Sequence, residues 1–430
     1  MELSIRALGE ARQPSPLQLS TVSGDSIADF TPPNARVFLD PTQASAGQPS
    51  FELAGPRALN YFRGPEVTAA IVTVGGLCPG MNNVVRELVL TLWHRYGVRR
   101  ILGARYGFRG LMPDSPEPLQ ALDPGVVRDI HLQGGTVLGS SRGPQPVDRI
   151  LGLLQQRGID MVFCIGGDGG MNGARALYEE TRRRAAPIAV VGVPKTIDND
   201  LPYIERTFGF DTAVSIASGA IRAAHVEARS APNGVGLVRL MGRHAGFIAA
   251  AATLAAREVN LVLVPELPFA IEGERGLLAW LWQRLDRRDH AVIVVAEGAG
   301  QEHLTGGAGR DASGRDASGN VKLGDIGVFL RDRLIAAGRS RDLQLKYIDP
   351  SYIIRATPAT PSDAIFCGDL AESAVHAAMA GKTGLVIGLW LNRLTHLPLA
   401  TATDGRKTIS LDGSFWRSVI NCTGQPAQLV

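Results

Sequence analysis

Short, almost uninterrupted apolar runs recur from residue 67 onward, at 67–74, 161–165, 187–193, 235–240, 260–264, 291–296 and 384–391. Runs of strand length without alternation predict strands covered on both faces of a sheet. The segments 82–95, 211–228, 273–285 and 362–380 between them predict helices, with Asp211 as an N-cap and Gly381 as a stop. Strand and helix alternate, so the pattern predicts α/β domains built on parallel sheets, with ligands at the carboxyl ends of the strands. Residues 1–66 lack sustained periodicity and read as an N-terminal extension wrapping a domain. Thr31–Asn34 and Ala44–Ser50 read as turns within it.

Composition narrows the class. The 430 residues exceed one ordinary core, which predicts two domains. Lys and Arg number 44 against 41 Asp and Glu, a net charge of +3 that leaves no electrostatic footprint for nucleic acid. The longest apolar stretch, Ala245–Ala256, is far short of the roughly 20 residues of a membrane span. No apolar h-region follows Glu2 and Arg6, so a cytoplasmic protein is expected. Cys78, Cys164, Cys367 and Cys422 lie far apart without CxxC spacing, against a disulfide framework or a thiolate zinc site. Fifty glycines exceed the average usage of roughly 7%, and most fall singly or in pairs after apolar runs. The exception is Arg310–Gly314, repeated as Arg315–Gly319, which reads as a flexible surface loop.

Three turns carry candidate chemistry. Val74–Asn83 places Gly75, Gly76 and Gly80 between a strand and a helix, where backbone N–H groups can approach an anion; a plain tight turn is the alternative. Cys164–Gly173 sets Asp168 among Gly166, Gly167, Gly169 and Gly170. That carboxylate could hold Mg²⁺ while flanking N–H groups hold phosphates, or merely cap the next helix. Pro194–Leu201 crowds Lys195, Asp198 and Asp200 at a strand end, where a carboxylate could take the proton of an attacking hydroxyl; an Asx-rich turn is the alternative. Further on stand Met241-Gly242-Arg243-His244, Ala296-Glu297-Gly298 and Tyr352-Ile353-Ile354-Arg355, whose arginines suit a substrate phosphate; an ordinary surface arginine or strand-terminal acid is the alternative for each. The eight histidines show no metal spacing.

In this order, GGxxPGMN, GGDG, PKTIDND, MGR, AEG and YxxR resemble the phosphofructokinase family from about residue 52 to 400. Ala54–Arg57, Ile71–Gly80, Ala296–Gln301 and Tyr347–Tyr352 resemble its longer ATP-dependent branch of plants, protists and some bacteria. The resemblance implies two parallel-sheet α/β domains sharing a cleft, with the chain crossing between them more than once. On that basis residues 67–208, completed by part of 356–400, would form a nucleotide domain and 209–355 a sugar-phosphate domain. Residues 1–66 would be an irregular extension and 401–430 a C-terminal tail.

Carried over residue by residue, the resemblance makes Asp198 the base that deprotonates the 1-hydroxyl of fructose 6-phosphate, beside Thr196 and Ile197. Met241, Gly242, Arg243, Glu297, Tyr352, Ile353, Ile354 and Arg355 would hold the sugar phosphate. Gly76, Arg142, Gly143, Gly167, Asp168, Gly169 and Gly170 would hold ATP, with Mg²⁺ on Asp168. The family implies a glycolytic, allosteric homo-oligomer, a dimer or tetramer. Two departures stand out. Gly170 replaces the usual Ser or Thr, and Pro232-Asn233-Gly234 replaces a substrate arginine of the short bacterial enzymes. Pyrophosphate users of the family typically carry aspartate where Gly169 stands, so Gly169 favours ATP. Lys195 is shared by pyrophosphate enzymes and the longer ATP enzymes. A pyrophosphate-dependent enzyme is therefore the nearest alternative, and a non-catalytic nucleotide or sugar-phosphate sensor the second. A dehydrogenase is excluded for want of GxGxxG.

Overall fold

Each apolar run read as a strand forms one in the computed structural model, which describes residues 3–22, 24–43, 47–117, 119–304, 314 and 321–430. In chain order the principal strands are β1 (Thr68–Thr73), β2 (Arg100–Ala104), β3 (Met161–Gly166), β4 (Ala189–Pro194), β5 (Gly234–Leu240), β6 (Leu261–Leu263), β7 (His290–Ala296), β8 (Gln344–Ile348), β9 (Leu385–Trp390) and β10 (Arg393–Pro398). The helices used below are α1 (Met81–Leu90), α2 (Asp168–Arg183), α3 (Phe210–Arg229), α4 (Leu277–Arg288) and α5 (Pro361–Met379). Asp211 lies one residue inside α3 rather than capping it. Gly381, with φ 74°, follows the end of α5 and donates its N–H to Ala378, as a left-handed stop should. The helix expected from 273 begins only at Leu277, because Gly273 and Gly276 close a turn first.

The chain divides into two units. Unit 1 comprises Met1–Thr196, Leu201–Gly209 and Ala356–Arg406. Its sheet runs Arg36–Phe38, Ser50–Leu53, β10, β9, β4, β3, β1, β2, Gln120–Ala121. The five strands from β9 to β2 are parallel, as expected, but both edges are antiparallel, so the sheet is mixed. The reversal from β9 to β10 is a two-residue turn in which Leu391 and Asn392 both have positive φ, at 49° and 56°. The N-terminal strands attach through Glu52, whose buried carboxylate meets Arg57 at 3.0 Å, Lys382 at 3.1 Å and His396 at 3.2 Å. Burial pushes that carboxyl up, but His396 and Lys382 outweigh it and hold it at about 2. Val72, Cys164, Val190 and Val386 of the sheet pack with Met171, Ala174 and Leu177 of α2.

Unit 2 comprises Ile197–Asp200, Phe210–Arg355 and Lys407–Val430. Its sheet is parallel throughout, in the order β6, β7, β5, β8. Leu237 and Ile293 pack there with Leu281 of α4 and with Leu330 and Leu334. The turn predicted at Thr31–Asn34 is present, closed by Ala35 N–H to Pro32 O at 3.1 Å. Residues 44–46 of the second predicted turn, and all of the 310–319 repeat except Gly314, lie outside the described residues. No helix among the described residues is long and apolar enough to cross a membrane.

Candidate active site

In unit 1 the direction of winding reverses between β1 and β3. The chain leaves β1 through α1 for β2 on one side, and leaves β3 through α2 for β4 on the other. Such a reversal opens a crevice outside the carboxyl ends of the two strands. The glycine turns Gly75-Gly76 and Gly166–Gly170 leave from those ends, which are paired at Thr73–Ile165. Lys195, just beyond β4, reaches back: its Nζ donates to Gly76 O at 2.7 Å and its N–H to Gly166 O at 2.8 Å. Lys195 is only 6% exposed, so its ammonium is fixed against the glycine turn. The loop with Arg142 and Gly143 is tied to the same turn. Gly75 N–H donates to Ser141 O at 3.0 Å, and Ser140 Oγ donates to Gly75 O at 2.6 Å. Arg142 itself is exposed.

Asp168 is the first residue of α2, and the N-cap is Gly167 without a side-chain bond. The carboxylate therefore does not cap its helix, although its charge suits the positive end of the helix dipole. Oδ1 accepts from Asn172 Nδ2 at 2.8 Å and Oδ2 from Arg406 Nη2 at 2.9 Å. No motif or spacing in the sequence signalled Arg406. Gly169 is exposed, and a Cβ there would meet nothing within 4 Å. Gly170 is buried, where a Cβ would make ordinary contact with Val74 at 3.4 Å.

The third motif spans a change of unit: Lys195 and Thr196 belong to unit 1, Ile197–Asp200 to unit 2. Thr196 O accepts the Thr207 hydroxyl at 2.6 Å. Ile197 is buried, and Asn199 turns the chain with φ 53°. Asp198 is half-buried, with Oδ1 screened from solvent.

In unit 2 the remaining motifs leave the carboxyl ends of three neighbouring strands. Met241–Arg243 follows β5, Glu297-Gly298 follows β7, and Tyr352–Arg355 follows β8 at a short distance. The first two interlock: Glu297 N–H donates to Leu240 O at 2.8 Å and Gly298 N–H to Gly242 O at 3.0 Å. Arg243 Nη1 donates to Val321 O at 2.5 Å. The residue that organises this end is Arg239, near the end of β5, which sequence reasoning missed. It meets Glu297 at 3.0 Å, Asp349 at 2.8 Å and the Ser351 hydroxyl at 3.2 Å. Burial opposes its charge, but Asp349, Glu297 and Asp325 together raise its pKa. Its polar place on an otherwise apolar strand was the available signal. Tyr352 and Ile353 are exposed, Ile354 is fully buried, and the Arg355 guanidinium lies over the Tyr352 ring at 4.8 Å.

The interlock requires glycine at 298, since a Cβ there would stand 2.0 Å from Arg243 O. Gly298→Ala should cost about 1–3 kcal/mol, as overpacking does. A thermal scan checks this: the variant's Tm should fall, and an unchanged Tm would mean the two loops separate freely.

A phosphofructokinase profile matches residues 68–378. The chain belongs to the phosphofructokinase family. It is 47% identical over 446 residues to an ATP-dependent 6-phosphofructokinase of Amycolatopsis methanolica, covering 99% of this chain and 95% of that one. It is 44% identical over 441 residues to one of Borreliella burgdorferi, covering 100% and 98%. ATP-dependent 6-phosphofructokinase 7 of Arabidopsis thaliana is 48% identical over 381 residues, covering 88% of this chain and 78% of the plant protein. Among solved structures, a pyrophosphate-dependent phosphofructokinase from Marinobacter aquaeolei superposes with a TM-score of 0.68 at 21% identity, covering 83% and 91%. That likeness speaks to the fold.

Proposed function

We propose that the protein is an ATP-dependent 6-phosphofructokinase, transferring the γ-phosphoryl group of ATP to the 1-hydroxyl of fructose 6-phosphate. The observation that carries this is the crevice of unit 1, where two glycine turns leave neighbouring strands, the Lys195 ammonium is held against one of them, and Asp168 stands partly exposed at a helix N-terminus in the other. Backbone N–H groups and positive charge together suit a polyphosphate. The names of the relatives at 44–48% identity support ATP as the donor.

Unit 1 takes the nucleotide on Gly76, Arg142, Gly143 and Gly167–Gly170. Unit 2 takes the sugar phosphate on Met241–Arg243, Glu297 and Tyr352–Arg355. Among the described residues no three His, Cys, Asp or Glu side chains gather into a metal cage. A single carboxylate fits Mg²⁺ that arrives with its phosphates, since this ion keeps most of its ligands from substrate and water. Mg²⁺ on Asp168 would neutralise phosphate charge. The protein's own part is positioning: Lys195 and the glycine N–H groups orient the phosphates, and Asp198 takes the hydroxyl proton as the oxygen attacks phosphorus. The enzyme works in the cytoplasm as a homo-oligomer, a dimer or tetramer.

A coupled assay on fructose 6-phosphate with ATP, GTP and pyrophosphate as donors tests the assignment. Turnover with ATP is expected, and turnover with pyrophosphate alone would overturn it. Arg243→Ala should raise the KM for fructose 6-phosphate about 10-fold or more, the loss of one charge-assisted contact. A rise confined to the KM for ATP would mean the two substrates are assigned to the wrong units.

A further inference from the structure

Arg406 is the last residue of unit 1 and the partner of Asp168. Its segment is held in place. The turn of helix Leu399–Ala402 packs in the same core as α2, and Arg175 of α2 donates to the Thr403 hydroxyl at 3.3 Å. Gly405, with φ 88°, then bends the chain, and a Cβ on it would meet nothing. The fold thus carries a guanidinium to the N-terminus of α2 from a position 238 residues along the chain.

Two features set this pair apart from a strut. Both side chains remain about a third exposed, 32% for Arg406 and 34% for Asp168, so an incoming ligand can reach either. Among the described residues the single hydrogen bond of Arg406 is the one to Asp168, which leaves most of its five N–H donors unused. An ion pair this exposed is weakly held. A guanidinium with free donors beside a phosphate site has a stronger partner available, because phosphate accepts its fork in a bidentate manner.

We propose that Arg406 is a donor-binding residue that exchanges partners: it holds Asp168 while no donor is bound, and moves to the phosphate oxygens when the donor arrives, which leaves Asp168 open to the metal. This rests on the assignment of unit 1 as the nucleotide unit. Arg406 then does two opposed things. It keeps a bare cation off Asp168, and it adds a positive charge for the phosphates. The site accepts metal and polyphosphate together more readily than metal alone.

The opposed signs make the test. Isothermal titration of Arg406→Gln is carried out with ATP in the presence of a chelator, and separately with Mn²⁺ alone. Metal-free ATP should bind about 10-fold more weakly or worse, the loss of one charge-assisted contact. Mn²⁺ alone should bind more tightly, since its competitor is gone. Arg406→Lys, which keeps the charge but not the fork, should fall between the wild type and Arg406→Gln for ATP. Unchanged ATP affinity in Arg406→Gln overturns the proposal, as does a loss of both affinities together with a lowered Tm. Wild-type protein that neither binds ATP nor turns over with it would instead refute the nucleotide assignment. ATP-dependent turnover with unaltered binding in Arg406→Gln would refute only the role of Arg406.

Discussion

Asp198→Asn is expected to lower kcat by about 10²–10⁴-fold, the range for removal of a general base. The amide matches the carboxylate in shape, and the residue is half-buried in a turn set by the positive φ of Asn199. The fold and the neighbouring Ile197 should therefore be undisturbed, and Tm should stay near that of the wild type. What the amide cannot do is accept the hydroxyl proton as the new O–P bond forms. The effect should appear in kcat rather than in the KM for fructose 6-phosphate, because the interaction lost is one made in the transition state. Thr196 is untouched, and its carbonyl remains fixed by the Thr207 hydroxyl at 2.6 Å. Steady-state kinetics with both substrates varied gives the split. Near-normal kcat in a folded variant would remove Asp198 from the chemistry, and a raised KM with normal kcat would make it a binding group.

The strands and the glycine turns were legible because both follow from short-range rules. A fully buried parallel strand reads as an apolar run, and β1, β3, β4, β5 and β7 all did. The edges were not legible. β10 is the sequence Arg393-Leu394-Thr395-His396-Leu397-Pro398, whose Thr395 and His396 break the apolar pattern, yet both are buried. His396 is tolerated there because Glu52, from the segment without periodicity, meets it at 3.2 Å. That compensation lies 344 residues away and leaves no local mark. The same limit applied to charge. Asp168 stood out among glycines, but Arg406 sits after an ordinary Asp-Gly pair and acquires meaning only through the Gly405 turn. Arg239 was within reach, since an arginine in the strand GVGLVRL needs partners, and it has three carboxylates around it.

Gly169→Asp should reduce kcat/KM for ATP by several tens-fold while sparing pyrophosphate. The position allows a clean experiment. A Cβ on Gly169 meets nothing within 4 Å, so no contact has to yield. Position 169 is the second residue of α2, where a carboxylate favours the helix by about 0.3–1 kcal/mol through its dipole. Replacing glycine also adds helix propensity, so the variant should be at least as stable as the wild type. Any loss of activity then belongs to the ligand. A second carboxylate beside Asp168 would face the phosphates bound at the helix end. At an effective dielectric near 20, like charges about 4 Å apart repel by roughly 4 kcal/mol. Solvent and counter-ions take away part of that, because position 169 is exposed. A residue of about 2 kcal/mol still amounts to roughly 30-fold. Pyrophosphate carries no α-phosphate joined to an adenosine, and so should suffer less from the added charge. Asp168 is intact in both proteins, so dependence on the divalent cation should be retained. Donor-specific kcat/KM at saturating fructose 6-phosphate provides the comparison. A variant as active with ATP as the wild type would show that the choice of donor is made elsewhere than at Gly169.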